Sequence, residues 1–251
     1  LTAGGTVRDY DELLAEGRDL YPGVRIGRPG RSRGYWAMIT ALRLLRIRYA
    51  VHLRGASRIG PGPAILVGSH IDAMDPVVVV MSAWWRISAF TKVEVFERRG
   101  AAFFRIMGQI PLRRGDPAST GWAMEMSRHA LAAGGKIGIY PEGTRSPDPT
   151  TLHRLHKRVL VPLLQANPDV PVHAVVTRYD RRGWRRIRVE ALLSEPLVLD
   201  ARTMTPDELT LVVREALLAL GGQQYVDRYA RDVKAELRAA RERERGSSGG
   251  R

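Results

Sequence analysis

Apolar residues along this chain follow two rhythms. Ile47, Tyr49, Val51 and Leu53 alternate with Arg46, Arg48, His52 and Arg54. That every-second-residue pattern predicts a strand with one face in solvent, and it puts His52 on the polar side. Ala64-Ile65-Leu66-Val67, following Pro63, and Ile137-Gly138-Ile139-Tyr140 are short unbroken apolar runs. Such runs predict strands buried on both faces. Further strands are expected over 86–92, within 108–116, and over 171–177 and 187–192. Between them lie stretches with helical spacing. Trp36, Ile39, Leu42 and Leu45 recur at the helical period in 35–45, and Trp122, Met126, Ala130 and Leu131 do so in 119–133, which Gly134-Gly135 ends. Helices are also expected at 10–16, after Pro76, at 152–165, from Thr205 to about residue 220, and at 224–243. Residues 96–107 are apolar with Arg98, Arg99 and Arg105 interspersed, and read as a core helix with solvated arginines.

Strands alternating with helices predict an α/β fold, a mixed sheet flanked by helices. The expected organisation is an N-terminal arm and Gly/Arg/Pro linker over 1–33, an α/β domain over 34–222, a charged C-terminal helix over 223–245 and a disordered tail over 246–251. No internal repeat is present.

Composition changes this picture in few places. The chain has no cysteine, which excludes disulfides and thiolate chemistry. Its formal net charge is +14, and only Lys92, Lys136, Lys157 and Lys234 among its 40 basic residues are lysines. A surplus of that size favours anionic partners: phosphorylated substrates, coenzyme A, acidic carrier proteins, anionic lipid or nucleic acid. No apolar run approaches the roughly 18–20 residues of a membrane span. Asp9, Asp11, Glu12 and Glu16 precede any apolar stretch, unlike a secretory signal. The helix at 35–45 carries Trp36 with Arg43 and Arg46 behind it. It suits either a membrane surface or a cap on the core.

Candidate chemistry gathers in the turns after strands. Gly68-Ser69-His70-Ile71-Asp72-Ala73-Met74-Asp75-Pro76 follows the first buried run. Asp75 is placed to N-cap a helix opened by Pro76, and the turn sits where open α/β sheets collect their catalytic groups. A His with a carboxylate folded back onto it is a general base held in one tautomer. Chance produces a His-x4-Asp pair in roughly a third of chains of this composition, so the pair alone specifies little. A metal site of His70, Asp72 and Asp75 is a second reading, although no other His lies nearby. Two further turns follow expected strands: Pro111-Leu112-Arg113-Arg114 and Tyr140-Pro141-Glu142-Gly143-Thr144-Arg145-Ser146.

In order and spacing these turns resemble the motifs of the PlsC-like glycerolipid acyltransferases, the 1-acylglycerol-3-phosphate acyltransferase family. Ser69-His70-x4-Asp75 resembles the family's Asn-His-x4-Asp. Gly108 to Arg114 resembles its second motif, whose last Arg contacts the acceptor phosphate. Tyr140 to Ser146 is similar to Phe-Pro-Glu-Gly-Thr-Arg-Ser, and Lys92-Val93-Glu94-Val95-Phe96 to Lys-x-Glu-Leu-Phe. The likeness covers about residues 43–200. The chain departs from the pattern at Ser69, at His156-Lys157-Arg158-Val159, which lacks the usual Gly, and at Ala174, where a Pro is usual.

The resemblance implies a glycerol-3-phosphate acyltransferase-like fold and transfer of a fatty acyl group from acyl-CoA or acyl carrier protein to a hydroxyl of a lysophospholipid. His70 would be the base and Asp75 its orienting acid. Arg114 and Arg145 would grip phosphate, and Glu142, Gly143 and Thr144 would line the acceptor pocket, with Glu142 alternatively holding an arginine. Neither metal nor cofactor is required. Without Cys or a nucleophile elbow, direct attack by the acceptor is favoured over an acyl-enzyme on Ser69, because neighbouring strand residues face opposite ways. The expected partners are the thioester donor, a phosphorylated lipid acceptor, an anionic membrane surface reached through Trp36, Arg43 and Arg46, and, for one choice of donor, acyl carrier protein. Nucleic acid is not expected, since the basic residues are spread along the chain rather than interleaved with aromatics. The expected location is cytoplasmic, peripheral on the inner face of the cell membrane. Acylation of another hydroxyl, and a non-catalytic basic lipid- or nucleic-acid-binding module, remain as rival readings.

Overall fold

Ala64 to Gly68 is buried at every position. Its side chains divide between two hydrophobic clusters: Ile65 and Val67 join one, and Ala64 and Leu66 the other. A strand clad on both faces is the centre of a three-layer fold. In this computed structural model, which describes residues 7–29, 34–181 and 186–248, the elements run in chain order as follows. They are α1 (Tyr10–Leu20), α2 (Tyr35–Arg43), β1 (Tyr49–Arg54), β2 (Ala64–Gly68), α3 (Asp75–Ser82), β3 (Ile87–Lys92), α4 (Ala101–Ile106), β4 (Ile110–Leu112), α5 (Pro117–Ala132), β5 (Lys136–Ile139), β6 (Thr151–His153), α6 (Lys157–Ala166), β7 (Val172–Asp180), β8 (Ile187–Leu193), α7 (Pro206–Gly221), β9 (Gln224–Val226) and α8 (Ala230–Ser248).

Among the described residues the main sheet has seven strands in the order β1-β8-β7-β2-β5-β3-β4. All neighbours are parallel except β7 and β8, so the sheet is mixed, as expected. Helices α1, α5, α6 and α7 pack on one face, around Leu13, Trp122, Leu160 and Leu217. Helices α2 and α3 cover the other, through Ile39, Val79 and Val80. Helix α7 opens with a full capping box between Thr205 and Glu208, and α5 with Asp116 accepting from the amides of Ala118 and Ser119.

Several expectations are corrected. The segment read as an arm is part of the core: Leu13 and Tyr21 are buried, the Trp122 indole donates to the Leu13 carbonyl at 2.7 Å, and the Tyr21 hydroxyl lies 2.6 Å from Ser119 Oγ. The short, polar-flanked pattern of 10–16 gave no sign of how deeply its apolar residues insert. Residues 30–33 of the linker and 1–6 lie outside the described residues. The helix expected over 96–107 is confined to α4, bracketed by Gly100 and Gly108, both of which take a left-handed φ. The helix expected from 152 starts only at Lys157, because Thr151–His153 pairs with Gln224–Val226 in a small parallel sheet. That pairing also shortens the expected C-terminal helix, which becomes β9 followed by α8. Helix α8 runs through Ser248 into the expected tail, and residues 249–251 lie outside the described residues.

Candidate active site

Strands β2, β4 and β5 point the same way, so their C-terminal ends open on one edge of the sheet. The sequences following those ends are the His70, Arg114 and Glu142 turns. Ligands of parallel α/β sheets bind at this edge, where backbone leaves the ladder and side chains are free to converge.

His70 and Asp75 meet as expected, with Nδ1 2.8 Å from Asp75 Oδ2. Asp75 is not the N-cap of α3. Met74 holds that position and Asp75 begins the helix, its side chain turned back over the preceding loop. There Oδ2 also accepts the amides of Ile71 and Asp72, at 2.8 Å each. The other oxygen, Oδ1, accepts the hydroxyls of Thr177 at 2.7 Å and Tyr179 at 2.8 Å. Asp75 has no exposure to solvent, and donors on every side satisfy a buried carboxylate that would otherwise be costly. The Tyr179 hydroxyl keeps its proton, because burial and then the Asp75 charge push its pKa up. With Nδ1–H given to Asp75, the lone pair of Nε2 is left for a substrate proton.

The imidazole is held on its flat side as well. Tyr140 lies against it, ring centres 4.5 Å apart and planes 30° apart. That ring occupies the space over Gly68, where a Cβ would come within 2.6 Å of it. Ser69, beside His70, is buried and its Oγ has no hydrogen-bond partner. Both residues lie just past the end of β2, so it is burial rather than strand alternation that encloses Ser69. Asp72 turns away from the His70 ring: it accepts the Met74 amide at 2.9 Å and pairs with Arg181.

Glu142 does not line a pocket, nor does it hold an arginine. It has no solvent exposure, and it joins the His70 turn to strand β6: Oε1 accepts the His70 amide at 2.9 Å and Oε2 the His153 amide at 3.1 Å. The Ser146 amide donates to the His70 carbonyl at 2.6 Å, so the third turn holds the His70 peptide from both sides. Burial raises the Glu142 pKa to about 7, against the pull of its two amide donors.

Gly143 follows with φ +71°, a left-handed conformation in which a Cβ would meet His156 Cδ2 at 2.8 Å. Its carbonyl accepts from an Arg114 guanidinium nitrogen, which joins the second turn to the third. Thr144 is half-buried in the turn and Arg145 is exposed beside it. The structure therefore brings His70, Asp75, Arg114, Glu142, Gly143, Thr144 and Arg145 together at one edge.

Thr177, Tyr179 and the His156 side chain are members of this neighbourhood that the sequence reading missed. Strand β7 extends past β2, whose Gly68 pairs with Val175, so its next two same-face residues overhang the His70 turn. Only the strand period hints at Thr177 and Tyr179 as a pair; nothing local links them to an aspartate a hundred residues earlier.

The expected membrane residues fare differently. Ile39 is fully buried and Trp36 and Leu42 pack beside it, so the helical stripe of α2 faces the core. The exposed apolar residues lie just beyond: Leu44, Ile47 and Trp84, at 68%, 77% and 57% exposure. Arg43 and Arg46 remain beside them, Arg43 lying 4.7 Å over the Trp84 ring.

The crystal structure of the 1-acyl-sn-glycerophosphate acyltransferase PlsC from Thermotoga maritima has a similar fold. The TM-score is 0.56 at 19% sequence identity, over 90% of this chain and 89% of that one. No curated protein sequence matches the chain. The family model described as Acyltransferase does match, over residues 50–178, a span that reaches from β1 to Arg178 of β7. His70, Asp75, Arg114, Glu142 and Thr177 all fall within it, and by that match over half its length the chain belongs to the acyltransferase family.

Proposed function

We propose that this chain moves a fatty acyl group from an acyl thioester to the free hydroxyl of a phosphorylated lysolipid such as 1-acylglycerol-3-phosphate. The observation that carries the reading is the His70–Asp75 pair, with Nε2 free for a substrate hydroxyl and Arg114 beside the same sheet edge. The Thermotoga protein of similar fold, a 1-acyl-sn-glycerophosphate acyltransferase, supports this reading.

His70 Nε2 takes the hydroxyl proton as the acceptor oxygen bonds to the thioester carbon. Asp75 stabilises the imidazolium that forms. The C–S bond then breaks, and the departing thiolate takes the proton back from Nε2. The acceptor attacks directly, since the chain has no cysteine and Ser69 is buried. Arg114 holds the acceptor phosphate. The donor is acyl-CoA or acyl carrier protein, and no other cofactor takes part. Among the described residues no helix is long and apolar enough to cross a membrane. The enzyme reaches its lipid from the cytoplasmic side, docking peripherally through Leu44, Ile47 and Trp84 with the arginines around them.

Thiol release from acyl-CoA in the presence of 1-acylglycerol-3-phosphate tests this. His70→Ala should lower the rate by about 10²- to 10⁴-fold, the range of a lost general base. Asp75→Asn should leave a folded protein of low activity. A folded His70→Ala protein turning over at a near-normal rate would overturn the mechanism.

A further inference from the structure

The family match ends at residue 178, yet the turn carrying Arg145 is covered by chain from far beyond it. Tyr229, just ahead of α8, stacks on His156 with ring centres 4.3 Å apart and planes 3° apart. The approach to α8 is fixed to the body of the protein. Strand β9 pairs with β6, the Arg154 amide donates to the Arg228 carbonyl at 3.0 Å, and the Arg154 guanidinium grips Asp227 with two bonds of 2.9 Å. So held, α8 brings Lys234 Nζ to 3.4 Å from the Arg145 carbonyl. Arg231, one turn earlier, comes within electrostatic reach of Arg114 and His156.

The result is a cluster of Arg114, Arg145, Arg158, Arg231 and Lys234 around the Gly143 turn. Glu94 lies near Arg114, and Asp232 near His156 and 3.4 Å from Arg231. Other arginines near this turn pair with carboxylates, as in Arg154–Asp227 and Arg228–Glu236, and Arg231 itself makes a 3.4 Å pair with its neighbour Asp232. Arg114 and Lys234 instead hydrogen-bond to backbone carbonyls and form no salt bridge among the described residues. Burial lowers the His156 pKa, and repulsion from Arg114, Arg231 and Arg158 lowers it further. Like charges gathered around one turn repel one another unless an anion joins them, and guanidinium groups favour phosphate oxygens.

We propose that Arg231 and Lys234 of α8 complete, with Arg114, a binding site for the phosphomonoester of the acyl acceptor. The site rests on the reading of Arg114 as the acceptor's phosphate clamp and extends it to a helix outside the matched family span. The same chemistry could be met by a phosphate of coenzyme A in the donor, and the kinetic arm below separates the two.

The first arm needs no turnover. Glycerol 3-phosphate is titrated into the intact chain while the His156 ring signals are followed by NMR. The expected result is a saturable change that requires at least tenfold more ligand in the Arg231→Ala/Lys234→Gln variant, and the usual amount in Arg241→Ala/Arg243→Ala. The control loses the same charge farther along α8. A non-saturating response in the unmodified chain, equal affinity in the first variant, or an equal loss in the control overturns the site. The second arm compares KM values for 1-acylglycerol-3-phosphate and acyl-CoA. The acceptor KM should rise at least tenfold in Arg231→Ala/Lys234→Gln with the donor KM within twofold; a rise in the donor KM instead overturns the assignment. If Arg114→Ala alone raises the acceptor KM, the role of α8 falls while the clamp stands. If glycerol 3-phosphate binds through α8 but no acyl transfer occurs, the anion site stands and the proposed reaction falls.

Discussion

Glu142 has no contact with solvent, and its two carboxylate oxygens take backbone amides from two different segments, that of His70 in its turn and that of His153 in β6. Its pKa, raised to about 7 by burial, has a consequence for stability. The folded protein holds this proton at pH values where the unfolded chain, with a carboxyl near 4.5, has lost it. Between about pH 4.5 and 7 the native state therefore binds more protons, and the contribution of Glu142 to stability falls as pH rises. Fully developed above pH 7, the cost is on the order of 3 kcal/mol. Glu142→Gln removes the titration, but sets an amide NH₂ against one of the two backbone donors. Urea unfolding of both proteins across this window should show a shallower decline for the variant, on top of a constant loss of about 1–3 kcal/mol from the unsatisfied amide. Parallel pH profiles would show that Glu142 stays ionised throughout. The motif was legible in the sequence and the glutamate's task was not, because which backbone groups a buried carboxylate satisfies depends on loops distant in sequence.

At the scale of elements, the strands and most helices followed from periodicity, while segments lacking a period of their own did not. Thr151–His153 and Gln224–Val226 are strands only because they find each other. Helix α1 shows the same dependence. Its few apolar residues read as an appendage, but Leu13 is fully buried, and its carbonyl accepts the Trp122 indole. Leu13→Ala should cost about 2–4 kcal/mol, the range for a buried leucine whose cavity cannot collapse. A thermal melt should show the whole protein unfolding earlier in one transition. A variant melting within a degree of the unmodified chain would restore the reading of this segment as a separable arm.

For the molecule as a whole, the excess of positive charge and the exposed apolar cluster on one side bear on where it works. Each basic residue near an anionic bilayer contributes about 1 kcal/mol, reduced by salt, whereas inserted apolar side chains are not screened. Sedimentation with vesicles should show binding that grows with anionic lipid and falls, without vanishing, as salt is added. Ile47→Asp with Trp84→Ala should weaken the part that resists salt, and Arg43→Glu with Arg46→Glu the part that does not. Trp36→Ala should chiefly lower thermal stability, since that ring packs in the core cluster beneath α2. Binding that ignored lipid charge and all of these substitutions would remove the docking surface from the account.

The sequence by itself determined the α/β class, the central buried strand, and the turns that carry His70, Asp75, Arg114 and Glu142. Each rests on local information: the period of apolar residues, proline and glycine at element ends, and short motifs whose spacing is kept within one turn. Only the tertiary structure decided what those turns do to one another. Thr177 and Tyr179 serve Asp75 because β7 outruns β2, Glu142 serves His70 because it is buried between the His70 turn and β6, and Lys234 of α8 reaches the Arg145 carbonyl because β9 pairs with β6. All three are long-range contacts. Their partners are set by strand order and register, to which no single stretch of sequence holds the key.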